Sequence, residues 1–276
     1  MQIETGTETV LAEVADGVGI ITLNRPERRN ALHYEILETV PQLLERFVDD
    51  PAVGCIVVTG AGACFCSGGD VGGGTFRRPE RGDAAPQKPT AEEQGQRLAE
   101  DARMIGMLFE CPKITLAALP GAAVGAGMSL ALAADLRIAA SSATLIGGWG
   151  RLGFSGDFGG PWLLTRLVGP TRALEFLIRN TVIDAELARS LGVFNLVVPD
   201  DELRSAALAW ARDIADGPRA AYRYFKENVR EAEYLSLAEA LPREGERMAL
   251  SAATDDHRRA LKRWMQEAAA KRAARS

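Results

Sequence analysis

Long apolar runs are absent from this chain. No uninterrupted hydrophobic stretch reaches membrane-spanning length, and residues 1–5 (MQIET) contain neither a basic region nor an apolar core. An excess of positive charge is absent too, because 32 Lys and Arg against 37 Asp and Glu give a net charge of −5 at pH 7. This balance argues against general affinity for nucleic acids or anionic membranes. We therefore expect a cytoplasmic protein that binds neither.

Candidate metal ligands are also scarce. The 276 residues include two histidines and four cysteines. Cys64 and Cys66 are two positions apart, while Cys55 and Cys111 are isolated, which is not the spacing of a metal site. The sequence therefore predicts no metal site, and it favours reduced, mostly buried thiols.

Two glycine-rich turns carry most of the information that is present. Residues 64–70 (CFCSGGD) follow the apolar run 53–59, and residues 121–129 (GAAVGAGMS) follow the apolar run 114–119 and lead into a helix of small residues. Glycine after a strand leaves backbone N–H groups accessible, and a helix start adds the positive end of its dipole. Two such turns can direct a pair of N–H donors at one oxygen. Either turn alone is more typical of an ordinary connection between core elements.

The order of patterns along the chain predicts an α/β core. Residues 9–15 and 18–23 flank Asp16-Gly17, which is a hairpin signal. Strand, glycine turn and helix then alternate through about residue 140, as in a partly parallel sheet. From residue 200 onward the pattern is helical, and we expect a smaller helical C-terminal domain over residues 200–276 beside a core domain over residues 1–199.

Composition and spacing also support three local predictions. Apolar positions Leu203, Ala207, Trp210 and Ile214 define the buried stripe of the first C-terminal helix. The basic tail at residues 271–275 is expected to fray. Residues 72–96 include the run Gly72-Gly73-Gly74, three prolines and four basic residues, so they are expected to form a loop, either a lid or a surface insertion.

Six segments of the chain resemble the crotonase (enoyl-CoA hydratase/isomerase) superfamily. They are residues 21–32 (ITLNRPERRNAL), 65–70 (FCSGGD), 134–139 (ADLRIA), 167–169 (LVG), 188–192 (ARSLG) and 197–199 (VVP). The resemblance implies a spiral core of ββα repeats with a helical C-terminal domain that closes the pocket and forms a homotrimer or a dimer of trimers. It also implies an acyl-CoA thioester substrate, with no cofactor beyond the coenzyme A of that thioester.

The resemblance also assigns residues to the site. It implies that the N–H groups of Gly69 and Ala126 hold the thioester oxygen. Arg28 is a candidate for the CoA phosphates, although a solvated arginine is an equal alternative. Further candidates for substrate or CoA contact are Ser67, Gly68, Asp70, Ser129 and Trp149.

The chain departs from the hydratases of this family at both of their glutamates. The first glutamate position holds Ser129, and alignment of residues 143–153 puts Trp149 at the second. A hydroxyl is not a useful base near neutral pH, and an indole N–H is only a donor. Neither side chain can take and return a proton, so we do not expect hydration by the two-glutamate route.

One acid remains, Asp157, at the position where several enoyl-CoA isomerases of the family carry theirs. A double-bond shift needs one carboxylate and an oxyanion hole, so Asp157 with Gly69 and Ala126 forms a minimal set. Apolar neighbours (Phe154, Phe158 and Trp149) are expected to raise the pKa of Asp157. The alternative is that Asp157 caps the following helix.

Other functions use the same residues. Trp149 with Asp157 is similar to the 4-chlorobenzoyl-CoA dehalogenase branch, in which the aspartate is a nucleophile and a histidine from the preceding helix activates water. Residues 98–107 contain no histidine, and the only two in the chain are His33 and His257. Thioester hydrolysis by Asp157 and acyl-CoA binding without turnover are further alternatives.

Overall fold

The computed structural model describes residues 1–70 and 90–273, and the fold is given for these. The strands are β1 (Gln2–Ile3), β2 (Val10–Ala15), β3 (Val18–Leu23), β4 (Cys55–Gly60), β5 (Cys64–Cys66), β6 (Ile114–Leu119), β7 (Ala122–Val124), β8 (Leu136–Ala140), β9 (Thr144–Ile146), β10 (Ile183–Asp184) and β11 (Leu196–Val198). The helices are α1 (Tyr34–Asp49), α2 (Ala91–Asp101), α3 (Arg103–Glu110), α4 (Ala126–Ala133), α5 (Gly160–Val168), α6 (Pro170–Arg179), α7 (Ala185–Ser190), α8 (Leu203–Ala215), α9 (Arg219–Glu231), α10 (Leu237–Ala252) and α11 (Asp255–Ala273).

Seven strands form the larger sheet, in the order β1-β2-β3-β4-β6-β8-β11. The first three pair antiparallel, and β3, β4, β6, β8 and β11 pair parallel. The predicted hairpin at Asp16-Gly17 is confirmed, because both residues have positive φ and Ala15 pairs with Val18. Parallel strands joined by helices confirm the predicted α/β core.

A second sheet of four short strands, in the order β10-β9-β7-β5, stands beside the first. Each of its parallel members follows directly on a long strand, so β4 leads to β5, β6 to β7 and β8 to β9. This repeat of two strands and a helix is the predicted spiral. Because β5 and β7 pair in parallel, the turns that follow them lie at the same end of the sheet.

Helix α8 covers one face of the larger sheet, which shows how the C-terminal part meets the core. Its buried stripe is Leu203, Ala207, Ala211 and Ala215. The sequence correctly predicted the first two, but Trp210 and Ile214 are half-buried at the margin of the stripe. Ala211 and Ala215 occupy the buried positions instead, because a methyl side chain allows the helix to approach the sheet closely.

Helices α9 to α11 complete the predicted helical region after residue 200. Helix α9 is fastened to the core by Lys226, whose Nζ lies 2.6 Å from Asp135 Oδ2. Asp135 also accepts hydrogen bonds from the N–H and the hydroxyl of Thr115, at 2.8 and 2.9 Å. Residues 271–273 belong to α11, and residues 274–276 lie outside the described part of the chain.

The predicted loop at residues 72–96 is wrong for its last part. Residues 72–89 lie outside the described residues, but Ala91–Asp101 is helix α2. Thr90 caps it, because its hydroxyl accepts from Glu93 N–H at 3.2 Å while the Glu93 carboxylate accepts from Thr90 N–H at 2.8 Å. A threonine with a glutamate three residues later is a helix-start signal that composition alone concealed.

The described residues contain no helix of the length and hydrophobicity needed to cross a membrane. They also contain no group of three or more His, Cys, Asp or Glu side chains placed to hold a metal ion.

Candidate active site

The first glycine turn is fixed by the segment that precedes α1. The N–H of Leu32 donates to the carbonyl of Gly68 at 2.8 Å, and Leu32 forms a parallel β-bridge with Gly69. Gly68 has a φ of +84°, in a region that glycine enters without steric cost. The backbone of Gly69 is therefore held in one orientation by a neighbour distant in sequence.

The first glycine turn is also held by contacts of Asn30 and Arg25. The sequence analysis did not predict these roles. The buried Asn30 side chain donates to Ala61 O at 2.9 Å and to Cys64 O at 2.7 Å, and its oxygen accepts from Arg25 N–H at 2.9 Å. Arg25 in turn lies 3.4 Å from Asp70 Oδ2. Asn30 has a φ of +54°, a conformation in which asparagine is enriched.

The second glycine turn ends at the start of helix α4. Gly125 has a φ of +54°, and its N–H donates to Ile146 O at 2.9 Å. Ala126 is the first residue of α4, and no side chain caps this end. Within the described ranges, no acceptor takes the N–H of Ala126 or that of Gly69. Both donors are available to a ligand.

The two turns pack against each other. A Cβ at Gly68 would lie 2.6 Å from Val124 O and 3.5 Å from Ala126 N, and a Cβ at Gly127 would lie 2.3 Å from Cys66 O. Glycine is required at both positions because the backbones approach too closely for a side chain. The structure thus brings together the turns of Gly69 and Ala126, an arrangement that can hold one oxyanion.

The carboxylate of Asp157 is held by Trp149. The indole Nε1 donates to Asp157 Oδ1 at 2.8 Å, and Trp149 lies buried at the start of the short 3-10 helix Trp149–Leu152. Burial raises the pKa of Asp157, and the hydrogen bond from Trp149 partly opposes that increase. A carboxyl group with a raised pKa is better suited to return a proton as well as to take one.

The alternative that Asp157 caps the next helix is wrong. Helix α5 begins at Gly160, its N-cap residue is Gly159, and no side chain caps it. Asp157 contributes only its backbone carbonyl, which accepts from Gly160 N–H at 3.0 Å. The side chain is unavailable for capping because Trp149 binds it and because Phe158 and Gly159 both have positive φ.

Trp149 also connects Asp157 to the second turn. A Cβ at Gly125 would lie 3.9 Å from Trp149 Nε1, so the indole borders the residue before Ala126. A Cβ at Gly160 would lie 2.2 Å from the indole ring and 2.6 Å from Ser129 Oγ. Ser129 is fully buried under this contact. The space between Ser129 and Trp149 is therefore filled by Gly160.

The other predicted site residues lie around the first turn or outside the cluster. Arg28 is exposed, and its carbonyl accepts from Ser67 Oγ at 3.4 Å. Phe158 is buried, whereas Phe154 is 61% exposed, so Phe154 does not enclose the carboxylate as predicted. His33 lies at the N-cap position of α1 and packs against Tyr34.

Comparison with known proteins adds family evidence. The Enoyl-CoA hydratase/isomerase family model matches residues 13–271. The chain is 32% identical over 251 residues to 1,2-epoxyphenylacetyl-CoA isomerase of Escherichia coli (strain K12), covering 91% of this chain and 93% of that protein. It is 32% identical over 225 residues to 4-chlorobenzoyl coenzyme A dehalogenase-2 of Arthrobacter sp, covering 80% and 78%.

Solved structures agree on the fold. The crystal structure of an enoyl-CoA hydratase from Polaromonas sp. JS666 matches with a TM-score of 0.83 at 30% identity, over 94% of this chain and 97% of that chain. Proteins named isomerase, dehalogenase and hydratase are thus similar to this chain. The choice among these reactions must come from the residues of the site.

Proposed function

The chain belongs to the enoyl-CoA hydratase/isomerase family, and from this we propose that it shifts a double bond in an enoyl-CoA thioester, with Asp157 as the proton shuttle. The observation that supports this most is the 2.8 Å hydrogen bond between Trp149 Nε1 and Asp157 Oδ1 beside the second glycine turn. The half-buried carboxylate is thus held by an indole that borders Gly125, the residue before the N–H donor Ala126.

In the proposed reaction, Asp157 removes a proton from one carbon of the acyl chain, and the electron pair moves to the thioester oxygen. The N–H groups of Gly69 and Ala126 stabilise the resulting dienolate. Asp157 then returns the proton two carbons along the chain, and the electrons leave the oxygen to form the shifted double bond. No water or further reactant is consumed.

The pKa of Asp157 supports both proton transfers. Burial raises it towards the working range, so the carboxylate takes a proton more readily than an exposed aspartate would. Trp149 holds Oδ1 through a group that can only donate, which directs the transfer to the other carboxylate oxygen. One aspartate can therefore serve in both half-reactions.

Hydration is not proposed, although similar proteins carry that name. Two carboxylates must hold the attacking water between them, and this site has Ser129 and Trp149 at the corresponding positions. Both are buried, and they pack around Gly160. The arrangement supports a single-acid reaction rather than addition of water.

A second candidate, nucleophilic attack by Asp157 on an aryl-CoA, is favoured by the same Trp149–Asp157 pair and by the similarity to a dehalogenase. Release of the product would need a base that activates water. Helices α2 and α3 contain no histidine to supply it, so we rank this candidate below isomerisation.

The proposed function is tested by conversion of trans-3-hexenoyl-CoA to its conjugated trans-2 isomer. We expect turnover by the natural protein and a loss of about 10²-fold or more in Asp157→Asn. The control is Asp184→Asn, which makes the same change at the cap of α7, where the side chain accepts from Leu187 N–H at 2.8 Å. An adduct on Asp157 after incubation with 4-chlorobenzoyl-CoA would instead favour the nucleophile, and acyl-CoA binding without any turnover would favour a binding protein.

We also propose a homo-oligomer of three or six subunits. Helices α9 to α11 expose large apolar side chains, among them Val229, Leu237, Met248 and Trp264, each about two-thirds or more exposed. Such a surface is typical of an interface. Light scattering after size-exclusion chromatography measures the mass directly, and a monomer at micromolar concentration would contradict this proposal.

A further inference from the structure

The turn that carries Asp157 has an unfavourable backbone. Gly156, Phe158 and Gly159 have φ values of +99°, +51° and +69°. Glycine adopts these values freely, but a bulky residue such as Phe158 does not. Strained residues of this kind persist only where the surrounding structure holds them. The anchors of this turn are therefore informative.

Two donors hold the carbonyl of Asp157. The N–H of Gly160 donates to it at 3.0 Å, and Ser129 Oγ lies 3.4 Å away. The same Ser129 Oγ lies 3.4 Å from Gly125 O. Both distances are long for O–H···O, as expected where one proton lies between two acceptors. Ser129 is fully buried, so its hydroxyl bridges two backbone segments inside the protein.

These segments belong to different parts of the site. The carbonyl of Gly125 is in the same peptide unit as the N–H of Ala126, so a hydrogen bond to that carbonyl also polarises the N–H. The carbonyl of Asp157 fixes the turn that aims the catalytic carboxylate. Ser129 is thus in contact with the backbone of both the oxyanion donor and the proton shuttle.

We propose that Ser129 is a positioning residue that couples the oxyanion turn to the turn carrying Asp157, through one buried hydroxyl that lies between the carbonyl oxygens of Gly125 and Asp157 and shares its proton with them. This inference rests on the proposed function. It gives the serine a role at a position where hydratases of the family use a carboxylate, and the role requires no contact with substrate.

The test is Ser129→Ala, which keeps the helix and removes only the hydroxyl. We expect a fall of about ten-fold in kcat for deuterium exchange of trans-3-hexenoyl-CoA, with KM within about two-fold, because one buried hydrogen bond is lost. We also expect weaker binding of acetoacetyl-CoA as its enolate, measured by absorbance. Ser129→Cys, which keeps a weaker donor, should recover part of both.

Thr115→Val is the matched control, because it also removes a fully buried hydroxyl, at 2.9 Å from Asp135 and away from the site. It should change neither kcat nor enolate binding. Asp157→Asn separates the two hypotheses, since it should abolish exchange but keep the enolate. Suppose that Asp157→Asn abolishes exchange but keeps enolate binding. If Ser129→Ala then leaves kcat for exchange and enolate binding at the natural level, Ser129 does not couple the turns. If Asp157→Asn keeps its exchange, the proposed function itself is wrong.

Discussion

Replacing Trp149 by phenylalanine isolates the contact on which the candidate site is built. The change keeps a buried aromatic ring and removes the N–H that donates to Asp157 Oδ1 at 2.8 Å. That hydrogen bond favours the charged carboxylate and lowers the pKa of Asp157 against the increase caused by burial. Without it, the pKa rises further. Because the first proton transfer needs the charged form, the acidic limb of the pH–rate profile should move to higher pH.

The size of the effect follows from the environment of the bond. Hydrogen bonds to charged groups contribute about 1.5–3 kcal/mol, and the half-buried position of Asp157 favours the lower end. A loss of about 1.5 kcal/mol corresponds to about a ten-fold lower rate on the acidic side. On the alkaline plateau the loss should be smaller, because there the carboxylate is charged in both proteins.

The assay is the pH dependence of kcat/KM for isomerisation of trans-3-hexenoyl-CoA by the natural protein and Trp149→Phe. Trp162→Phe is the control, since Trp162 is half exposed and packs against Phe109 and Arg166 rather than Asp157. Its profile should match that of the natural protein. An acidic limb that stays in place in folded Trp149→Phe would refute the assigned role of the indole.

Three further outcomes are expected. Ala126→Pro removes one oxyanion donor, worth about 3–4 kcal/mol, so the enolate absorbance of acetoacetyl-CoA should disappear; its retention in a folded variant would place the hole elsewhere. Hydration of crotonyl-CoA should be slow or absent. Ser129→Glu should not create hydratase activity, because Trp149 and Gly160 fill the adjacent space. Rapid hydration by the natural protein would contradict the assignment of acids. Asn30→Ala should lower the free energy of unfolding by about 3 kcal/mol, because it leaves the buried carbonyls of Ala61 and Cys64 without their donor. Chemical denaturation measures this free energy, and a decrease of less than about 1 kcal/mol would show that other contacts hold the turn.

The sequence predicted those parts of the fold that are determined by the hydrophobic pattern and the glycine positions of a short segment. The hairpin at Asp16-Gly17, the alternation of strands and helices, and the two glycine turns all depend on residues that are close in sequence. The approach of the two glycine turns was predictable in outline for the same reason.

Long-range contacts were not predictable in the same way. Asn30 reaches carbonyls more than 30 positions away, so its role depends on how the segments pack. Asp157 was ambiguous because a helix cap and a catalytic acid can have the same local sequence. The structure excludes the cap, since α5 begins at Gly160 with Gly159 as its N-cap. The positive φ of Phe158 has no sequence signal, since glycine and asparagine are the usual residues there.

The most direct test of the central claim is deuterium incorporation into trans-3-hexenoyl-CoA in D₂O, with enolate binding of acetoacetyl-CoA measured on the same samples. For Asp157→Asn we expect exchange at the α- and γ-carbons to fall by about 10²-fold or more, because the carboxylate proposed as the base is lost. Enolate binding should remain, because the N–H groups of Gly69 and Ala126 are unchanged. Exchange within a few-fold of the natural protein would contradict the account and assign the proton transfer to another group.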